Sequence, residues 1–480
     1  MNHFRHHLFT RQALRHLSAL AALALLTSGC AVGPAYQLPN TPEVASFKEA
    51  GDWVLAVPAD ALERGPWWSL FGDPVLDQLA TRLDVSNQNV ALAVGAYAQA
   101  RALVREQRAT LFPAVTLNGG GARSRSSGNV NTGIPGRTGS SYQASLGASW
   151  EPDVWGRLGQ AVDSASAGAQ ASAADLASAR LSAHGELAVN FLSLRQTDAQ
   201  QALLQSAIAG YTRALEITQN RYAVGVAPKT DVLQAQTQLA NGQADAAGLQ
   251  RTRAQLEHAV AVLVGEAPGN FALAPLAEWV PVVPLVPPGL PAMLLQRRPD
   301  IAAAERRVAA ANAQIGVAQS AYYPGITLNA STGSGASKVA DLFKAASSVW
   351  SLGLSAAQVV FDAGAISARV DSAQAGRDQT VARYRQTVLT AFQDVEDQLS
   401  ATRVLQVQQG LRRQASEAAD QVEQQVLNRY RSGQVGYTDV ITAQTTALNA
   451  RRALVQAMAD RQTTTVALIQ ALGGGWQPAP

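Results

Sequence analysis

The chain has 480 residues, only 15% of them charged and 6% aromatic, and is dominated by Ala, Gln, Ser and Gly. That mix suits long helices packed closely through small side chains better than a globule built around an aromatic core. The formal charge of +3 resides in a leader. Arg5, Arg11 and Arg15 lie within the first 29 residues, which contain no acid, and the remainder balances base against acid. No basic cluster stands out along the sequence, which argues against nucleic acid as a partner. Of six histidines, His3, His6, His7 and His16 lie in the leader, leaving His184 and His258 in helical sequence. With one cysteine there is no disulfide framework, zinc cluster or Cys/His nucleophile pair. No enzyme activity, metal or cofactor is expected.

Residues 1–29 have the parts of an export signal: a basic stretch to His16, an apolar run from Leu17 to Leu26, then Thr27, Ser28 and Gly29. The run is too short to span ~30 Å of hydrocarbon as a helix. Cys30 follows directly, and Leu26-Thr27-Ser28-Gly29-Cys30 resembles the bacterial lipoprotein box, with Thr27 where that box prefers Leu. An acylated Cys30 would hold the mature N-terminus at a membrane, each buried CH₂ contributing ~0.8 kcal/mol.

The mature chain is duplicated. Asn220-Arg221-Tyr222, Gly225, Thr230-Asp231-Val232 and Ala235-Gln236-Thr237 recur at identical spacing as Asn428-Arg429-Tyr430, Gly433, Thr438-Asp439-Val440 and Ala443-Gln444-Thr445. Pro113 with Thr116-Leu117-Asn118 returns as Pro324 with Thr327-Leu328-Asn329. The expected organisation is a signal at 1–29, an extended lipidated segment at 30–72, a first repeat at 73–274 and a Pro-rich connector at 275–292. A second repeat at 293–472 and a tail at 473–480 complete it. Proline excludes helix from the connector.

Within the first repeat, Asp73-Pro74 opens a helix running to about Thr110. Tyr142, Ala144, Leu146, Ala148 and Trp150 then alternate with Gln143, Ser145, Gly147 and Ser149. In the second repeat, which opens with a helix from Met293 to Tyr322, Ile326, Leu328 and Ala330 alternate with Thr327, Asn329 and Ser331. Trp350, Leu352, Leu354 and Ala356 alternate with Ser351, Gly353 and Ser355. One apolar face and one small polar face is the pattern of a membrane β-barrel strand. Each hairpin precedes a long helix, Gly159–Ala223 or Ala365–Arg431, reaching about 100 Å at ~1.5 Å per residue. Leu204, Ile208, Tyr211, Leu215, Thr218 and Tyr222 form a heptad seam on the first. Each long helix turns at a glycine into a shorter one, Thr230–Val264 or Tyr437–Leu472. Four strands cannot close a barrel, so a closed oligomer is required, preferably a trimer with twelve strands and a lumen.

Gly29-Cys30-Ala31-Val32-Gly33-Pro34, Trp67-Trp68, Phe71-Gly72-Asp73-Pro74 and Arg297-Arg298-Pro299-Asp300-Ile301 are similar to motifs of the TolC-like outer membrane efflux family, in its NodT-type lipoprotein branch. The Tyr-x-x-Gly turns at Tyr222 and Tyr430 and the ending Ala471-Leu472-Gly473-Gly474-Gly475-Trp476 fit the same pattern. The resemblance implies a mostly α fold with a membrane β-barrel portion. Three chains would share a 12-stranded outer membrane barrel and an α-helical barrel crossing the periplasm. It implies a homotrimer in outer membrane lipid, working with a periplasmic adaptor protein and an inner membrane RND-type transporter to export drugs or other toxic small molecules passively. The only expected prosthetic group is covalent lipid on Cys30. The family's gate corresponds to the turns Tyr222–Thr230 and Tyr430–Thr438, making Arg221, Tyr222, Asp231, Arg429, Tyr430, Arg431 and Asp439 candidates for gating or adaptor contact. Asp231 and Asp439 also suit helix capping.

Three other readings compete. A polypeptide exit duct of type I secretion shares the architecture. A lipoprotein scaffold explains the heptads and the anchor, and a hydrolase would use Glu151 and Asp153, two carboxylates flanking Pro152.

Overall fold

The computed structural model describes residues 32–41, 46–50, 66–125, 127, 138–276, 278–286 and 298–474. The leader, Cys30, residues 293–297 and the tail from Gly475 lie outside them. The helices are α1 (Pro74–Ser86), α2 (Gln88–Ala109), α3 (Arg157–Ala223), α4 (Lys229–Leu263), α5 (Pro299–Gln319), α6 (Ala365–Arg431) and α7 (Tyr437–Ala471). The strands are β1 (Ala114–Arg125), β2 (Thr138–Trp150), β3 (Gly325–Ala336) and β4 (Ser348–Ala357). The duplication shows in length: α3 and α6 each have 67 residues, and α4 and α7 each have 35.

The helix expected to run unbroken to Thr110 is divided at Asn87. Its backbone is extended at φ −67°, ψ 123°. The Asn87 N–H donates to Leu83 O and closes α1, while its Oδ1 accepts Val90 N–H at 3.0 Å and opens α2. Nδ2 also donates to Leu263 O at 2.7 Å, at the end of α4. Asparagine offers the backbone such alternatives to helical bonding, whereas apolar spacing alone carries no sign of the break. The first long helix starts two residues earlier than expected, because the Asp153 carboxylate accepts Leu158 and Gly159 N–H at 2.9 and 2.6 Å. The expected start of the second repeat's first helix at Met293 lies outside the described residues; α5 is described from Pro299, with proline in the first turn, where its missing N–H is not needed.

The chain divides into two compact units, each built from both repeats. One holds 1–40, 97–172 and 304–384, and with them all four strands. They make a single antiparallel sheet in the order β1-β2-β3-β4. The other holds 41–96, 173–303 and 385–480. Its core joins Trp67, Leu76 and Leu83 to Leu187 and Phe191 of α3, Leu399 of α6, and Leu468 and Ile469 of α7. No helix among the described residues is long and apolar enough to cross a membrane.

From a buried position the Asn87 side chain bonds the start of α2 and the end of α4, so Asn87→Ala, which keeps the N–H that closes α1 but loses both of these bonds, is expected to cost about 2–3 kcal/mol. The check is a lower thermal unfolding midpoint in detergent, with helix content at low temperature unchanged.

Candidate functional site

Directly opposed residues of adjacent strands share a sheet face. Leu117 faces Leu146, Val115 faces Ala148, Ala148 faces Ala330, and Leu328 lies opposite both Trp150 and Leu354. Ala330 in turn faces Leu352. One surface is therefore apolar across all four strands. The other carries Thr116, Asn118, Ser145, Gly147, Asn329, Ser331, Ser351 and Gly353. On that side the Ser331 and Ser351 hydroxyls are hydrogen-bonded at 2.8 Å. Leu117 and Trp350 are both 80% exposed, and Leu352 74%. Apolar side chains so exposed along a whole sheet face suit hydrocarbon rather than water. The outer edges of β1 and β4 have no strand partner among the described residues.

Aromatic residues mark the sheet end nearest the helices. Trp150 Nε1 donates to Leu111 O at 2.9 Å, and Trp155 Nε1 to Pro324 O at 2.8 Å. The Trp155 ring stacks on Tyr323 with centroids 4.9 Å apart. The segment that follows Cys30 is pinned here. Val32 N–H donates to Trp155 O at 3.1 Å, and Asn312 Nδ2 to Pro34 O at 2.8 Å. Tyr36 donates its hydroxyl proton to Glu305. A Cβ on Gly33 would lie 2.9 Å from Gly316 Cα, so only glycine lets this strand of backbone lie so close to α5. Cys30 itself lies outside the described residues.

The two helix turns are built alike. Val226 N–H bonds Arg221 O and Gly225 N–H bonds Tyr222 O, with Gly225 at φ +79°. Gln434 to Arg429 and Gly433 to Tyr430 repeat the pattern, with Gly433 at φ +76°. This is the Schellman closure, and it explains Tyr-x-x-Gly: the glycine takes the left-handed position that ends the helix. Asp439 caps its helix, its carboxylate accepting Gly436 N–H at 3.2 Å. Asp231 occupies the first turn of α4, where Pro228, at the cap position, offers no N–H.

The repeats then diverge. Tyr222 is 47% exposed and Tyr430 4%. Arg221 reaches across, donating to Tyr430 O at 2.9 Å with its guanidinium 4.8 Å from the Tyr430 ring centroid. The Tyr430 hydroxyl meets buried Thr218 Oγ1 at 3.2 Å, and its ring lies 5.5 Å from that of Tyr437. The structure thus brings together Arg221 and Tyr430. Arg429 and Arg431 are exposed and form no ion pair with a described residue. Further polar links join the repeats: Gln238 to Thr445 at 3.2 Å and Arg452 to Asp245 at 3.2 Å. Thr218 and Tyr437 were not among the sequence candidates. Thr218 reads there as a seam position and Tyr437 as a helix start, and only the fold makes them neighbours of Tyr430.

Other motif residues are structural. Arg298 binds Asp300 at 2.7 Å, Asp394 at 3.0 Å and Ala471 O at 3.2 Å, so Arg-Pro-Asp ties the start of α5 to α6 and the end of α7. Glu151 pairs with Arg157 at 2.7 Å while Asp153 caps α3, which employs both carboxylates of the hydrolase reading in starting a helix.

A model of outer membrane efflux proteins matches residues 79–266 and 290–474. The chain is 33% identical over 467 residues to the antibiotic efflux pump outer membrane protein ArpC of Pseudomonas putida, covering 96% of each. It is 31% identical over 476 residues to the pyoverdine export outer membrane protein OpmQ of Pseudomonas aeruginosa, covering 97% of this chain and 98% of that one. Among solved structures, the outer-membrane channel OprN superposes with a TM-score of 0.86 at 29% identity, over 94% of this chain and all of the other.

Burial pushes the Tyr437 hydroxyl up to about 12, and its oxygen has no hydrogen-bond partner among the described residues. The unfolded chain ionises near 10. Its ionisation therefore takes nothing from stability below pH 10, and stability falls progressively as pH rises from 10 toward 12. Tyr437→Phe should hold or raise the unfolding midpoint and blunt that alkaline loss. Tyr430→Phe, which breaks the Thr218 bond, should cost about 1 kcal/mol. Thermal melts at pH 8 and 11 separate the two.

Proposed function

This chain belongs to the outer membrane efflux protein family, and on that premise we propose that it is the lipid-anchored exit duct of a tripartite pump. Its partners in this reading are a periplasmic adaptor and an RND-type inner membrane transporter, which supplies the energy. The observation that carries the reading is the sheet: one apolar face, one small polar face and two edges unpaired among the described residues. An open edge is not tolerated in lipid. Two copies would give eight strands whose interior side chains fill, and three would give twelve with room for a lumen. Small Ser, Gly and Asn side chains on the inner face suit that lumen. The helices favour assembly too. Val404, Val407, Leu411 and Val422 of α6 are each more than half exposed, and Ala415 and Ala418 continue their stripe at heptad spacing.

The cargo we assign is small toxic compounds, antibiotics included. ArpC is named for antibiotics and OpmQ for pyoverdine at similar identity. Chemistry that varies so freely among relatives fits a passive duct whose transporter selects the cargo. Anchoring at Cys30 is supported by the docking of Val32 to Pro34 beside the Trp155–Tyr323 belt, which would start an acyl chain at the interface where such aromatics sit. For the gate, the Arg221–Tyr430 clip is the internal latch between the two helix turns. Exposed Arg429 and Arg431, with Tyr222, are left for a neighbouring copy or the adaptor.

Purified full-length protein is expected to form discrete channels in planar bilayers, and a deletion strain to become drug-sensitive. A protein that is monomeric in mild detergent and never conducts would sink the duct. Arg221→Ala should raise single-channel conductance; an unchanged trace would remove the latch role. Cys30→Ala should abolish palmitate labelling while leaving the strap contacts intact.

A further inference from the structure

The sequence shows no basic cluster, yet the sheet register creates one. On β1 the apolar face runs through Val115, Leu117, Gly119 and Gly121, and the same alternation then delivers Arg123 and Arg125. Their opposed partners are Ser140 and Thr138, in line with Tyr142 and Leu146 on β2. The Tyr142 ring lies across Gly121, with a Cβ there only 3.0 Å from the ring. On β2, Trp150 and Tyr142 bound the apolar stretch, eight residues apart. At ~3.3 Å per residue and a tilt of about 40° that is roughly 20 Å of height, close to the ~25 Å apolar band of a membrane barrel. Arg123 sits one rung beyond Tyr142, and Arg125 beyond that. Both are exposed and neither pairs with an acid among the described residues.

The second hairpin adds to the same end of the sheet. β3 finishes at Ala336 and exposed Lys338 follows; Asp341, the acid of this hairpin, is already paired with Lys344 at 2.5 Å. The sequence between Arg125 and Thr138 contains no acid. In the same connection after β3, Phe343 is 84% exposed and Val339 60%. Outside the leader the chain is neutral, so this surplus is local.

Resting on the barrel reading, we propose that Arg123 and Arg125, supported by Lys338, form an outward-facing site for the phosphate groups of anionic lipid headgroups in the outer leaflet. Arginines placed just past an aromatic girdle on a lipid-facing surface meet the headgroup layer, where the fork geometry of guanidinium matches phosphate.

The test titrates purified full-length protein in neutral detergent with diphosphorylated lipid A, and separately with its dephosphorylated form. Wild type should bind the phosphorylated lipid about 30-fold more tightly than the R123S/R125S double variant, at about 1 kcal/mol per cation. The dephosphorylated lipid should bind both proteins alike and weakly. Equal binding of the two lipids by wild type, or an unaffected double variant, would overturn the proposal. So would competition by equimolar inorganic phosphate, which would assign the site to a free anion. Planar-bilayer conductance keeps the two readings apart. A double variant that conducts like wild type is folded, so its lost lipid binding belongs to the arginines. A wild-type protein that never conducts would count against the barrel instead.

Discussion

Backbone groups at a sheet edge need partners, and hydrocarbon supplies none. Among the described residues the edges of β1 and β4 have no partner while one face is apolar, so that sheet is incomplete in water and equally incomplete in lipid as a single copy. Only closure with further copies resolves both deficits at once. Several features of the sequence follow from that need. The inner face must stay small if the closed sheet is to hold a passage, hence Ser, Gly and Asn at alternate positions. The helices must present apolar stripes to neighbours they do not meet within one chain, hence exposed valines and leucines on α6. A low charge content then ceases to be puzzling, because much of the single chain's surface is interface in waiting.

Much of this was legible beforehand because it is periodic. Alternation along β2 and β4 gave the apolar face correctly, and the paired Gly225 and Gly433 gave both turns, since a left-handed helix terminus leaves a glycine at a fixed distance from its tyrosine. Features that depend on single polar contacts were not legible. The break at Asn87 rests on one side chain satisfying two backbone partners while its own N–H closes the preceding helix, and nothing in the spacing of its neighbours announces it. Arg221 and Tyr430 were both visible as candidates, but not as partners of each other. Their pairing arises where the two repeats meet, and a repeat read by itself suggests equivalence instead. Asp439 went the other way: a residue with two plausible uses was found capping its helix.

Duplication gives each half the same turn, and the structure then uses the two copies differently. Tyr430 is enclosed by Thr218, Arg221 and Tyr437, whereas Tyr222 stands in the open. The latch proposed above needs such inequality. If both tyrosines were buried against the other repeat, the two turns would lock symmetrically and neither could yield without the other. With one enclosed and one free, a single set of contacts would have to release in that proposal. Those contacts are modest in strength: one charge-assisted bond, one cation–π contact and one hydroxyl pair, each of order 1 kcal/mol. That scale matches what the docking of a partner can supply.

The same logic of placement over composition applies to charge. Summed along the mature sequence, base and acid cancel, and the sum suggests indifference to anions. Strand pairing undoes that inference by carrying Arg123 and Lys338, more than two hundred residues apart, to one end of one sheet. Net charge governs solubility and long-range attraction, but binding is decided within a Debye length of about 10 Å, where only neighbours in space count. A neutral chain can therefore carry a cationic rim, and the register of a β-sheet is enough to put it there.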